Sequence, residues 1–234
     1  MKFASKISRN VLLKERSDDQ YCIKRIHPSR LDNIIDIGAN IGVVSTLARL
    51  CHPKSTIHAF EPNDHVFDIL KENTKELGIN VYQEAMGDGS YVKFLKRRGN
   101  LAHCFKSSGI KDIDDSDIVN GHMNEDLLSI KTMRLHDMLK KYDIEVTKKT
   151  LIKIDCEGGE WHLRNKLDVE LLKKAGVVCF EVHEIQEHGS VLDFFKWALS
   201  HHRLSRTFGM NFFVAKGGGH MILWDKTHFK DLFF

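Results

Sequence analysis

Short apolar runs alternate with amphipathic stretches along most of this chain. Four runs are dominated by apolar and β-branched residues: 34–37, 56–60, 151–154 and 177–180. Such runs are typical of strands that are buried on both faces of a sheet. The stretch 63–78 instead carries its apolar residues at helical spacing. The pattern predicts one α/β domain with a doubly wound, mostly parallel sheet, and strand candidates at 203–208, 211–215 and 220–224 predict an antiparallel edge at its C-terminal end.

A turn of small residues directly follows the first run. It reads Gly38-Ala39-Asn40-Ile41-Gly42, and Asp36 precedes it within the strand. A dinucleotide site would have G-x-G-x-x-G here, whereas this chain has G-x-N-x-G with a carboxylate beside it. A carboxylate repels a pyrophosphate but attracts the ammonium and sulfonium groups of S-adenosylmethionine. The turn therefore predicts an S-adenosylmethionine site in which glycines allow close backbone approach.

The second strand candidate ends in an acidic residue, Glu61, about twenty residues after the turn. An acid at this place can accept hydrogen bonds from both hydroxyls of a ribose, which supports a ligand that contains a nucleoside. The alternative is that Asp36 caps a helix and Glu61 is a solvated loop residue. The two acids and the turn together favour the cofactor interpretation.

The third strand is expected at 79–85, with its end beside the first strand. The loop 84–88 would then border an adenine, so Ala85 and Met86 are candidate cofactor contacts. Met86 could pack on the adenine ring, and an ordinary place in the core is its serious alternative.

A second cluster of polar residues follows the two later strands. Asp155 and Glu157 come directly after the run 151–154, and Glu181 and His183 follow the run 177–180. Alternation along a strand places Glu181 and His183 on the same side. Because ligands of open α/β sheets bind at the carboxyl ends of the strands, these residues are candidates for catalysis.

Four stretches of the chain together resemble the FkbM family of S-adenosylmethionine-dependent methyltransferases. They are Asp36–Gly42, Phe60–Asn63, Ile152–Glu160 and Glu181–His183, and the resemblance spans about residues 30–185. It implies a class I methyltransferase fold, Rossmann-like, with a seven-stranded, mostly parallel sheet and transfer of methyl to oxygen. Two departures from the family pattern are His136, between Leu135 and Asp137, and Gly159 in place of another small residue.

The resemblance also implies roles for individual residues. Asp36, Gly38, Asn40 and Gly42 would line the methionine end of the cofactor, and Glu61 would hold the ribose. The family signature D-x-E-G falls on Asp155, Glu157 and Gly158, which places Asp155 beside the transferred methyl and among the cofactor contacts.

Methyl transfer to an alcohol needs a base for the hydroxyl proton. Asp155 is the first candidate, with Glu181 and His183 as partners, although His183 could equally be a strand-end histidine bonded to a backbone carbonyl. A divalent cation held by Asp155, Glu157 and Glu181 could also activate the alcohol, and the need for a metal is left open.

Composition narrows the cellular setting. The chain has 234 residues, a net charge of +3 and five scattered cysteines without a C-x-x-C pair, which indicates a reducing compartment and excludes a structural zinc site built on such a pair. No apolar run is long enough to span a bilayer, and residues 1–10 lack the apolar core of a signal peptide. We expect a soluble, cytoplasmic protein.

The chain is expected to divide into an N-terminal cap segment, 1–30, with a short helix at 20–26, and a single domain, 31–234. A polar loop, 99–124, is expected on the substrate side. A basic cluster, Lys93 with residues 96–98, is typical of a solvated surface and, if functional, would face an anionic acceptor such as a phosphate-bearing sugar or RNA. The acceptor hypotheses are a hydroxyl of a sugar, glycan or related small molecule, favoured by the family resemblance, and an RNA ribose 2′-hydroxyl, supported by the basic cluster alone. A nucleoside-binding protein without catalysis is a third hypothesis, against which the acids Asp155, Glu157 and Glu181 argue.

Overall fold

The computed structural model describes residues 19–95, 104–106, 127–185, 188–202, 208–215 and 218–230. Its strands are β1 (Asn33–Ile37), β2 (Thr56–Phe60), β3 (Asn80–Tyr82), β4 (Ala85–Met86), β5 (Tyr91–Leu95), β6 (Cys104–Lys106), β7 (Leu127–Met133), β8 (Thr150–Ile154), β9 (Val177–His183), β10 (Phe208–Ala215) and β11 (Gly218–Asp225). Its α-helices are α1 (Val43–Cys51), α2 (Asp64–Thr74), α3 (Leu135–Lys141), α4 (Lys166–Lys174) and α5 (Val191–His202). Short 3₁₀ helices lie at Pro28–Arg30 and Gly159–Arg164.

The main sheet has seven strands in the order β10-β11-β9-β8-β1-β2-β3. The pairs from β9 to β3 are all parallel, and β11 is antiparallel to both β9 and β10. The predicted sheet, mostly parallel with an antiparallel C-terminal edge, is therefore confirmed, and the antiparallel strand itself lies second from the edge. The strand candidates 211–215 and 220–224 fall within β10 and β11, whereas residues 203–207 lie outside the described residues.

The central strands are buried because helices cover both faces of the sheet. All five residues of β8 are buried, as are the last four residues of β1 and of β2. On one face, Ile35, Phe60, Ile152, Phe180 and Phe194 share a core. On the other, Ile34, Leu47, Ile57 and Leu151 pack with the N-terminal segment 19–26. The sheet edge formed by the carboxyl ends of the strands carries the polar residues described below.

The N-terminal segment 19–26 is not helical, so the helix predicted at 20–26 is wrong. Asp19 and Cys22 have positive φ angles of 49° and 59°, a conformation that interrupts a right-handed helix. Asp19 instead closes turns, since its carbonyl accepts from the Cys22 N–H and its side chain from the Lys24 N–H. The side chains of Tyr21, Cys22, Ile23 and Ile26 are buried on the sheet. The division of the chain at residue 30 stays a prediction.

The region after β3 also differs from expectation. Strand β3 pairs with β2 at the edge of the main sheet, and β4 belongs to a second sheet of order β4-β7-β5-β6. The prediction that one strand runs through 79–85 and ends beside β1 is therefore wrong, because Ala85 and Met86 pair with β7 instead. Strand β6 lies within the stretch 99–124 that was expected to be a loop, and the rest of that stretch lies outside the described residues.

No helix in the described part of the chain is long and apolar enough to cross a membrane.

Candidate active site

The turn after β1 is held against the strands on both sides of it. The N–H groups of Gly38 and Ala39 donate to the Phe60 carbonyl at 3.0 and 2.9 Å. Gly38 has φ +75°, and a Cβ atom there would lie 1.7 Å from the Asp155 carbonyl oxygen. A Cβ at Gly42 would lie 2.8 Å from the Leu70 side chain. Close packing within the protein thus requires both glycines, and it brings the turn into contact with the residue that follows β8.

Asp36 lies beneath the turn, fully buried, and its charge is compensated within the protein. Ser45 Oγ donates to Asp36 Oδ2 at 2.6 Å, and Lys153 Nζ lies 3.1 Å from Asp36 Oδ1. Lys153 also donates to the carbonyls of Ile37 and Gly38, at 3.2 and 2.7 Å. Asp36 therefore reaches the turn through Lys153, and the prediction that it lines the cofactor directly stays untested.

Lys153 was not singled out from the sequence. Burial lowers its pKa, but the charges of Asp36 and Asp155 outweigh burial and raise it above the ordinary value. The signal that could have found it is a lysine in the middle of an apolar strand, since a buried lysine must have charged partners.

Glu61 is buried at the carboxyl end of β2, with 8% of its surface exposed. Its two carboxylate oxygens accept from backbone N–H groups, Oε2 from Asn40 at 3.0 Å and Oε1 from Asn63 at 2.9 Å. Burial raises the pKa of Glu61 to about 7, and these two hydrogen bonds oppose the rise. The alternative of a solvated loop residue is therefore wrong. The acid is fixed beside Asn40, the non-glycine residue of the turn with a positive φ angle, 52°.

Ala85 and Met86 are both buried. Met86 packs in the core that contains Phe60, Leu135 and Trp161, so its core alternative accounts for its position. The contact of Ala85 and Met86 with an adenine stays a prediction.

The four predicted catalytic residues come together at the ends of β8 and β9. His183 Nε2 lies 3.5 Å from Glu157 Oε2 and 4.0 Å from both Asp155 Oδ1 and Glu181 Oε1. About a quarter of each side chain is exposed, so the cluster is open to a ligand. The expected placement of Glu181 and His183 on one side of β9 is confirmed.

Glu160, fully buried, anchors His183. Its Oε1 accepts from the His183 backbone N–H at 2.7 Å and lies 3.2 Å from His183 Nδ1, and its Oε2 accepts from the Gly158 N–H at 2.9 Å. Burial lowers the pKa of His183, but the hydrogen bond to Glu160 and the charges of Glu160 and Glu157 raise it to about 10. His183 is thus bound to a carboxylate, not to the backbone carbonyl of the alternative, and it is a cation at neutral pH.

Sequence reasoning also missed Tyr21. Its hydroxyl oxygen lies 2.6 Å from Glu181 Oε2 and 3.1 Å from Asp155 Oδ2. No local motif marks Tyr21, because its partners are more than 130 positions away in the sequence.

Asp155, Glu181 and His183 could also hold a metal ion, since one donor atom from each lies within 4.8 Å of the others. This set contains His183 in place of the expected Glu157. Carboxylate and imidazole donors suit several divalent cations.

The predicted basic cluster lies mostly outside the described residues. This holds for residues 96–98, and only the backbone of Lys93 is described.

Comparisons with known proteins identify the family of this chain. The sequence model of the methyltransferase FkbM domain family matches residues 36–206. Hexuronic acid methyltransferase AglP of Haloferax volcanii is 30% identical over 156 residues, which are 65% of this chain and 56% of that protein. The 31-O-demethyl-FK506 methyltransferase FkbM of Streptomyces tacrolimicus is 26% identical over 174 residues, 66% of each chain.

Among solved structures, methyltransferase FkbM from Methylobacillus flagellatus KT aligns with a TM-score of 0.50 and 14% identity, over 83% of this chain and 44% of that one. This likeness concerns the fold. The curated relatives are matched over 56–66% of their own lengths. The family match covers well over half of the sequence and includes the last two residues of β1 and the turn. It also includes the acidic cluster, which consists of Asp155, Glu157, Glu181 and His183. The expectation from the four motifs is therefore confirmed. The chain belongs to the FkbM family of S-adenosylmethionine-dependent methyltransferase domains.

Proposed function

We propose that this chain transfers a methyl group from S-adenosylmethionine to a hydroxyl of an uncharged sugar, glycan or related small molecule. The observation that carries the proposal is the position of Asp155. Its backbone contacts the turn after β1 through Gly38, and its side chain, 22% exposed, faces Lys153, His183 and Tyr21. The Asp155 carboxylate therefore lies between the turn after β1, where the cofactor is expected, and the other side chains of the acidic cluster.

The residues at the ends of β1 and β2 fit the proposed cofactor. Glu61 presents a buried carboxylate, fixed by two backbone N–H groups, that can accept from the ribose hydroxyls. Gly38, Asn40 and Gly42 form the turn, and Asp36 supports the turn through Lys153. In this proposal Ala85 and Met86 contact the adenine. S-adenosylmethionine supplies an electrophilic methyl on a sulfonium sulfur.

Asp155 acts as the base in this proposal. It takes the proton of the acceptor hydroxyl while the oxygen–methyl bond forms and the sulfur–methyl bond breaks. Lys153 Nζ, 3.4 Å from Asp155 Oδ2, fixes the carboxylate. His183 is held as an imidazolium by Glu160 and therefore orients the acids, since a protonated imidazole cannot accept the proton. Glu157 and Glu181 are the other polar side chains that surround the acceptor hydroxyl.

The charge of the cluster favours an uncharged acceptor. Among the described residues, four carboxyl groups (Asp155, Glu157, Glu160, Glu181) surround His183, and Lys153 is shared with Asp36. An acceptor that carries phosphates would be repelled there. The names of two relatives support the acceptor class and not its charge, since one names a sugar acid, itself an anion, and the other an O-methylated product. An RNA 2′-hydroxyl is therefore the second candidate acceptor.

The test is transfer of labelled methyl to a panel of neutral hexosides, uronic acids and short RNAs. We expect transfer to neutral hydroxyls, as a methyl ether that survives mild alkali, whereas a methyl ester on a uronate would be hydrolysed. Asp155→Asn should lower the rate about 10²-fold or more while the affinity for S-adenosylmethionine changes little. Asp32→Asn, an exposed acid paired with Lys149, is the matched control.

Three results would contradict the proposal: a preference for RNA, an alkali-labile product, or an Asp155→Asn variant as fast as the wild type. Binding of S-adenosylmethionine without transfer to any member of the panel would instead support the noncatalytic hypothesis.

A further inference from the structure

Tyr21 is clamped in place although it comes from the N-terminal segment 19–26. Its side chain is 3% exposed. Lys153 Nζ lies 5.5 Å from the centre of its ring, the His220 ring lies 6.1 Å away centre to centre, and the Cys179 thiol donates to its backbone carbonyl at 3.3 Å. The hydroxyl group therefore has little freedom to turn away from its two carboxyl neighbours.

The hydroxyl of Tyr21 is close enough to form hydrogen bonds to both acids. Tyr21 Oη lies 2.6 Å from Glu181 Oε2 and 3.1 Å from Asp155 Oδ2. A phenol has one proton to donate. The O–H is therefore shared between the two carboxylates, with the shorter contact to Glu181 and the longer one to Asp155.

Neighbouring groups compensate the charges of the two acids. Lys153 lies 3.4 Å from Asp155 Oδ2 and stabilises a negative charge on that side. Burial and the charge of Asp155 raise the pKa of Glu181, while His220, the hydrogen bond from Tyr21 and His183 oppose the rise. The Tyr21 hydroxyl therefore fixes the two carboxylates relative to each other.

We propose that Tyr21 is a positioning residue of the methyl-transfer site, whose hydroxyl bridges Glu181 and Asp155 and holds Asp155 in the orientation in which it acts as the base. This inference rests on the proposed function. The groups that face the bridge are Lys153 from β8, Glu157 from the loop after it, His183 from β9 and His220 from β11. The N-terminal segment is thereby part of the active site as well as a cover for the sheet.

The test is Tyr21→Phe, which keeps the buried ring and removes the hydroxyl. Loss of the bond to Asp155 makes its carboxylate form less favourable. We expect kcat to fall about tenfold or more and the acidic limb of the kcat profile to move about half a pH unit or more upward. The affinity for S-adenosylmethionine should stay within about twofold, because the hydroxyl faces the acids of β8 and β9.

Ile23→Val is the matched control, since Ile23 is buried in the same segment without a side-chain polar group. It should leave the pH profile unchanged. A Tyr21→Phe variant with the wild-type kcat, or one with a lower kcat but an unmoved acidic limb, would overturn the inference.

A second measurement does not depend on turnover. In carboxyl ¹³C NMR spectra of the full chain at one pH, Tyr21→Phe should move the signals of both Glu181 and Asp155, because each loses a hydrogen bond from the hydroxyl. A change confined to one of the two signals, or to neither, would overturn the bridge. If the wild type transfers no methyl to any acceptor while both signals move in Tyr21→Phe, the proposed function fails and the bridge stands.

Discussion

The ammonium nitrogen of Lys153 lies 3.1 Å from Oδ1 of Asp36, and both side chains are almost completely removed from solvent. The same ammonium donates to the carbonyls of Ile37 and Gly38. One buried cation thus ties strand β8 to the last residue of β1 and to the first residue of the turn. The shape of the turn depends on a residue about 115 positions later in the sequence.

Lys153→Met is expected to destabilise the fold strongly. The substitution leaves Asp36 as a buried carboxylate without its cation, which typically costs about 3–5 kcal/mol. Lys149→Met breaks an exposed pair with Asp32 and should cost about 0–1 kcal/mol. Denaturant unfolding of both variants measures the difference. Equal stability of the two variants would show that the Asp36 pair contributes little.

Gly38→Ala and Gly78→Ala separate steric conflict from backbone strain. Both glycines have positive φ angles, 75° and 60°, but a Cβ atom at Gly38 meets the Asp155 carbonyl at 1.7 Å and one at Gly78 meets nothing within 4 Å. Gly78→Ala should cost about 1–2 kcal/mol from strain alone. Gly38→Ala should cost clearly more or prevent folding, because strand ends must move apart. Thermal unfolding of the two variants measures the difference, and similar melting temperatures would contradict the close contact at Gly38.

Glu61 makes stability depend on pH in a defined direction. Its pKa is about 7 in the folded chain and 4.5 ordinarily, so between these values the folded state holds a proton that the unfolded state has lost. Stability from this group therefore falls as the pH rises. The free energy of unfolding of the wild type, relative to Glu61→Gln, should decrease by about 2 kcal/mol from pH 5.5 to 7.5.

The control for this comparison is Glu145→Gln, because Glu145 is exposed. The difference between this variant and the wild type should hardly change with pH. A Glu61→Gln difference that is equally flat would mean that the buried carboxylate titrates near its ordinary value.

His183 is expected to stay protonated through neutral pH. Its pKa rises from the ordinary 6.5 to about 10, so its contribution to stability is complete below pH 6.5 and is lost as the pH rises through 10. Imidazole ¹⁵N NMR should show both ring nitrogens protonated at pH 8. His58, whose pKa is lowered by burial, should be neutral in the same spectrum. A titration of His183 near pH 6.5 would contradict the clamp by Glu160.

The sequence was sufficient to predict the main sheet and most of the candidate site. Strands such as β8 are recognisable because burial on both faces leaves a continuous apolar run, and Asp155, Glu181 and His183 follow such runs directly. The position of β4 was not predictable in this way. A two-residue strand has no periodicity, and its partner β7 lies more than 40 positions later.

Lys153 and Tyr21 were missed for a related reason. Each acts through contacts that only the folded chain creates, at separations of more than 100 positions. The positive φ angles of Asp19 and Cys22 likewise arise from turns that the composition of 20–26 does not predict.

The contact between Tyr21 and Glu181 joins residues 160 positions apart. During synthesis the N-terminal segment therefore leaves the ribosome long before β9 exists, and its apolar residues have no complete surface to cover. Chain closure over this distance is a slow and entropically costly step. The turn after β1 is likewise completed only once Lys153 of β8 has been made, and the acidic cluster only once β9 has been made. Both therefore belong to the later part of the fold to assemble.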